Sequence, residues 1–138
     1  MKLELFLAAD YANITNSGKL NVMGIFRVIN ASTFPVRHSS MHLVIKLLPE
    51  LGEYGIVRDL FVKLLDPNGN ELVGLSAQVN APKPGGGMPP EINVILELKD
   101  TVFPQPGPYQ FVVLVEKDHK GALPIFVNQL EAQPPQPH

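Results

Sequence analysis

Two runs of alternating apolar and polar residues, Arg58–Asp66 and Glu71–Val79, meet at Asp66-Pro67-Asn68-Gly69-Asn70. Proline presets φ for the first corner of a turn, and Asn-Gly tolerates the positive φ of a tight reversal. In the first run Leu60, Val62 and Leu64 share one parity against Asp59 and Lys63, the signature of a half-buried strand. The pattern predicts a β-hairpin, which commits the middle of the chain to antiparallel sheet.

The same punctuation recurs elsewhere. Of the 14 prolines, ten lie in Asn80–Pro90, in Asp100–Pro108 and in the tail after Glu131. Proline donates no hydrogen bond and is excluded from a central strand ladder, so these stretches read as connections. Between them run further extended segments: Lys2–Ala9, Lys19–Ile29, Met41–Leu48, Glu91–Leu98, Tyr109–Glu116 and Ala122–Leu130. Ser17-Gly18 and Asp118-His119-Lys120-Gly121 are the expected reversals. No segment sustains a helical period. The expected fold is all-β: an antiparallel β-sandwich of about 7–8 strands, one domain over 1–130, with a Pro-rich flexible tail at 131–138.

Composition narrows the chemistry. With 138 residues, a core can form without staples, and with no cysteine there is neither a disulfide nor a thiol nucleophile. Eleven basic residues are spread among thirteen acidic ones, for a net charge of −2. That balance offers no electrostatic footprint for nucleic acid or an anionic membrane, so neither is expected as a partner. Glu4 breaks the apolar opening and Asp10 closes it, so Lys2–Ala9 reads as a first strand with Leu3, Leu5 and Leu7 inward, not as a secretory signal. A cytoplasmic location is the expectation.

Each constellation that resembles a site has a plainer reading. His38 and His42 would share a metal on a helix, but four extended residues span about 13 Å, too far for one ion. Gly74-Leu75-Ser76-Ala77-Gln78 holds half of a nucleophile elbow inside an alternating strand, without the strand-to-helix turn the elbow requires. Gly85-Gly86-Gly87 continues into Met88-Pro89-Pro90, where a phosphate loop needs Lys, Ser or Thr and a helix. Glu91 with Glu97, and Glu71 with Asp66, fall on polar faces or strand ends. His119 lies in a turn and His138 ends the chain. No catalytic, cofactor or metal residue is assigned, and no enzymatic activity is expected. Tyr109, opening a strand after Gly107-Pro108, fits a tyrosine corner, a structural device.

Several segments together resemble a family of small bacterial proteins of unknown function. They are Gly18-Lys19-Leu20-Asn21-Val22-Met23-Gly24-Ile25-Phe26, Phe34-Pro35, Asp66-Pro67-Asn68-Gly69, Gly107-Pro108-Tyr109-Gln110-Phe111 and Leu123-Pro124-Ile125-Phe126-Val127. The resemblance spans nearly the whole chain. It implies a stand-alone, immunoglobulin-like β-sandwich and transfers no activity.

What the chain does carry is an excess of apolar residues on the wrong parity. Met23, Ile25, Val44, Phe61, Ile95, Val112 and Leu114 alternate out of phase with the expected core, as does Phe6. Outer faces of a sandwich are ordinarily polar. These seven are therefore the candidate interaction surface of a non-catalytic protein that works through protein–protein contact, by self-association or within a bacterial assembly. The alternative is a small-ligand-binding domain, with the 80–90 and 100–108 loops lining a cleft.

Overall fold

A computed structural model describes residues 1–83 and 90–131 of the chain. Nine strands follow in order: β1 (Lys2–Ile14), β2 (Leu20–Phe26), β3 (Val28–Ala31), β4 (Val36–Leu48), β5 (Val57–Leu65), β6 (Glu71–Asn80), β7 (Ile92–Phe103), β8 (Gly107–Val115) and β9 (Asp118–Gln129). They form two sheets, β2-β1-β4-β7 and β3-β9-β8-β5-β6. No helix occurs among the described residues, so the all-β reading holds. Residues 132–138 of the tail, and residues 84–89 of the Pro/Gly stretch, lie outside the described residues.

The core is built from the residues that alternation selects. Leu43, Ile45 and Leu47 of β4 face Leu60, Val62 and Leu64 of β5, with Phe111 and Val113 of β8 and Ile125 of β9, all essentially without exposure. Burying a side chain of this size contributes about 1.5–3 kcal/mol, so this cluster dominates the stabilisation of the fold. The hairpin at Asp66–Asn70 forms as expected, joining β5 to β6 in register Leu60↔Ala77 and Val62↔Leu75. Asp66 Oδ1 accepts from the amides of Asn68 (2.9 Å) and Asn70 (2.8 Å), and Gly69 takes φ +85°. Hydrogen bonds from the turn, that of Asn70 foremost, hold the Asp66 carboxyl below the usual carboxylate range.

Five expectations are corrected. There are nine strands, because the run Lys19–Ile29 is two: a bend at Arg27 takes the chain out of one sheet and into the other. Parity changes there too, so Val28 is exposed and Ile29 and Ala31 are buried. The strands are also not all antiparallel, since β3 runs parallel to β9, from Val28↔Phe126 to Ala31↔Gln129. In β1 a register shift between Leu3 and Leu5 moves Phe6 onto the core side opposite Ile45, and Leu5 and Leu7 off it. A bulge adds one residue to a strand, and one residue reverses every later side chain. Lastly, Asp100–Phe103 are strand and not loop, with Thr101 and Phe103 buried. The expected β8–β9 reversal at Asp118–Gly121 sits earlier, at Glu116-Lys117, both of which have positive φ (49° and 70°).

Two contacts tie down the ends of this frame. The Tyr109 hydroxyl donates to the Gln105 carbonyl (2.6 Å) and accepts from its amide (3.2 Å), while the ring meets Phe103 edge-on at 5.0 Å. The tyrosine corner is therefore present. At the other end Met1 is buried, and its ammonium pairs with Glu53 Oε2 at 2.8 Å. Burial pushes the Glu53 carboxyl upward. Hydrogen bonds from the Glu50 amide and the terminal ammonium, with the charges of that ammonium and Arg58, outweigh it and leave the carboxyl below its ordinary 4.5.

Tyr109→Phe removes both hydroxyl bonds and keeps the ring, so it lowers stability by about 1–2 kcal/mol in urea unfolding. A group with a depressed folded pKa stabilises the fold above its unfolded value and stops doing so as pH falls through the folded one. Glu53→Gln therefore flattens the acid limb of the stability profile below about pH 5 relative to the parent, measured by thermal unfolding across pH.

Candidate functional site

Back-to-back sheets present their outer faces in opposite directions, and the seven candidate residues divide between the two. Met23 and Ile25 (β2), Val44 (β4) and Ile95 (β7) belong to the outer face of the first sheet. Phe61 (β5), Val112 and Leu114 (β8) belong to the second. They cannot make one contiguous surface, because the core lies between them.

Two of the seven are not surface at all. Val44 is fully buried, flanked across the strands by Leu7 and Ile95, and Val112 is 8% exposed between Lys63 and Ala122. Central strands of an outer face are walled on both sides by their neighbours, so apolar residues there bury each other without a covering layer. The two most exposed of the seven lie on the edge strand β2. Met23 is 65% and Ile25 61% exposed, and the register places them against Tyr11 (49%) and Ala9 (buried) of β1. Tyr11 was not among the sequence candidates: β1 was expected to stop at Ala9, and with Leu3, Leu5 and Leu7 inward Tyr11 would have had core parity, which the shift between Leu3 and Leu5 reverses.

The β2 edge has a definite construction. Its seven residues, Leu-Asn-Val-Met-Gly-Ile-Phe, contain neither charge nor proline, the usual guards of a strand edge. Gly24 has φ +71° and stands opposite Asp10; a Cβ there would run into the Asp10 carboxylate. Behind Tyr11, His42 meets the ring edge-on at 5.3 Å, and its Nδ1 lies 3.2 Å from the Asp10 carbonyl, to which it donates when protonated.

The second outer face is concave. Its groove holds about 570 Å³ over β6, β5 and β8, floored by Phe61 and Leu114 and edged by Lys63, Glu71 and Lys117. Phe61 is 38% exposed and Leu114 half-buried.

The histidines do not converge. His38 packs on Phe26 (5.6 Å), on the core side of the sheet, whereas His42 packs on Tyr11 outside it. The β4–β7 pairing lapses at Ser39 and Asp100, where Asp100 has φ 54°, and alternation resets. Among the described residues no three His, Asp or Glu side chains gather as a metal set. The carboxylates are committed elsewhere: Glu91 pairs with Lys46 (3.3 Å), Glu97 with Lys99 (3.7 Å), and Asp66 binds its own turn.

The model of a family described as "Family of unknown function (DUF6941)" matches residues 4–128. The chain belongs to that family. No curated protein matches it. Among solved structures, the chain is similar to the Pseudomonas fluorescens alkylpurine DNA glycosylase AlkC bound to DNA containing an abasic site analog. The identity is 14% and the TM-score 0.47, over 91% of this chain and 30% of the glycosylase. The chain thus spans about a third of that enzyme's length.

Burial separates the two kinds of candidate. Val44→Ala costs about 2 kcal/mol from lost burial and the space left behind, while Met23→Ala stays within about 0.5 kcal/mol. Chemical denaturation of the two variants checks this.

Proposed function

We propose that this protein is a non-catalytic binding module that acts through protein–protein contact, self-association at the β2 edge being its first form. The observation that carries the reading is the apolar strip of Tyr11, Met23 and Ile25 beside an edge strand without charge or proline. An edge strand has a row of unpaired N–H and C=O groups, and a second copy of β2 can pair with it about a two-fold axis. Such pairing joins two four-stranded sheets and lays the Met23 and Ile25 side chains of one copy beside those of the other. The same reading places the protein in the cytoplasm, with which the absence of cysteine is compatible.

An immunoglobulin-like arrangement is the finer fold reading. Strand order β9-β8-β5-β6 follows the G-F-C-C′ order of a variable-type domain, and the β4–β7 pair takes the place of B and E in the facing sheet. Tyr109 then opens strand F after the E–F connection, where a tyrosine corner belongs. β1, beside β4, takes the place of A, and the edge strand β2 beyond it has no counterpart in that scheme and supplies Met23 and Ile25 to the strip.

Sedimentation equilibrium of the purified chain tests the reading. The expected result is a reversible dimer that Ile25→Glu converts to monomer with its thermal midpoint retained. A monomer at every concentration, or a dimer indifferent to Ile25→Glu and Met23→Glu, overturns it.

A further inference from the structure

The groove on the outer face of the second sheet is separate from the β2 edge, and its construction is specific. Gly74 of β6 lies directly across from Lys63 of β5, and Phe61 across from Leu114 of β8. The missing side chain at Gly74 opens a notch over an apolar floor; a Cβ there would approach Glu71 Oε1 to 2.8 Å. Lys117 reaches the rim from a turn in which two consecutive non-glycine residues, Glu116 and Lys117, hold positive φ (49° and 70°). Left-handed backbone is strained for a residue with a Cβ, and residues such as glycine or asparagine are the ordinary occupants. The turn is held by a reciprocal pair of bonds: Glu116 N donates to the Asp59 carbonyl (2.9 Å), and Asp59 N donates to Glu116 Oε1 (2.8 Å).

Charge completes the description. Neither Lys63 nor Lys117 has a carboxylate within ion-pair distance among the described residues, and Glu71 has no cation. Two ammonium groups and one carboxylate leave the rim with one net positive charge above Phe61 and Leu114. At about 570 Å³ the groove has the size of small-molecule sites.

The geometry points to a binding site for an amphipathic monoanion, an apolar-bodied carboxylate whose body lies on Phe61 and Leu114 and whose head meets Lys63 and Lys117. The Glu71 carboxylate disfavours a dianion. A hydrophobic body supplies affinity through burial, and the ammonium groups select the charged head over a neutral isostere. The strained turn belongs to the same design: it places Lys117 over the floor at a cost in stability, as functional sites do with backbone strain.

The test titrates octanoate, with 1-octanol as the neutral control, into the full chain while backbone amide shifts are followed by NMR. Octanoate is expected to move the amides around Phe61, Gly74 and Leu114 and to bind more tightly than octanol. Lys117→Gly removes the ammonium and relieves the left-handed backbone, so it is expected to raise the thermal midpoint while weakening octanoate about tenfold, the worth of one charge-assisted contact. Lys63→Met weakens octanoate similarly, with the octanol response preserved. Three results overturn the proposal: no octanoate response, equal affinity for octanoate and octanol, or shifts that map to the Tyr11, Met23 and Ile25 face. Unchanged octanoate affinity in both lysine variants does so as well. Self-association has no part in these readouts, so the two proposals fail independently.

Discussion

Everything else in this molecule rests on the packing of β4 against β5 and β8. Leu43, Ile45 and Leu47 meet Leu60, Val62, Leu64, Phe111 and Val113 between the two sheets, and all are essentially without exposure. Side chains on a strand alternate, so committing one set to this contact fixes where the other set points. The two outer faces are consequences of the core. The groove exists because β5 turns Phe61 and Lys63 outward when Leu60, Val62 and Leu64 turn in. The β2 strip exists because Phe26 and Val22 take the inner side.

The frame tolerates local departures that redirect the chain without disturbing that contact. The bend at Arg27 moves one run from the first sheet to the second, and the Phe126 amide closes on the Arg27 carbonyl at 2.8 Å as β3 begins. The shift in β1 between Leu3 and Leu5 changes which residues face in. At Asp100 a positive φ lets alternation restart, so that Leu98, Thr101 and Phe103 are all buried on one strand. Each departure involves one or two residues. Each also decides which side chains reach the surface, and so what the surface can recognise.

Both candidate surfaces combine an apolar centre with a feature that costs stability. The β2 edge leaves backbone groups unpaired beside Met23 and Ile25. The groove is overhung by a turn whose Glu116 and Lys117 occupy backbone space better suited to glycine. A chain selected for stability alone has no physical reason to keep either. That is the link between the energetics of this all-β fold and the proposed role in binding.

Alternation and turn chemistry were enough to establish the all-β class, the Asp66–Asn70 hairpin, the inner set on β5 and β8, and the Tyr109 corner. These are properties of short range: a turn residue's φ preference and a two-residue period act within a few positions of the chain. Local pattern has no access to the bend at Arg27, because Leu20–Ala31 alternates plausibly as one strand, nor to the bulge in β1, where Glu4 reads as an ordinary outward residue of an alternating strand. Exposure escaped it for another reason. Val44 and Ile25 have the same off-core parity, yet one is buried and the other is 61% exposed, because β4 has a neighbour on each side and β2 has one. Strand order is a relation between segments distant in sequence. The sequence by itself determined which residues alternate and where the chain turns; the tertiary structure alone decided which of the outward residues have neighbours to cover them.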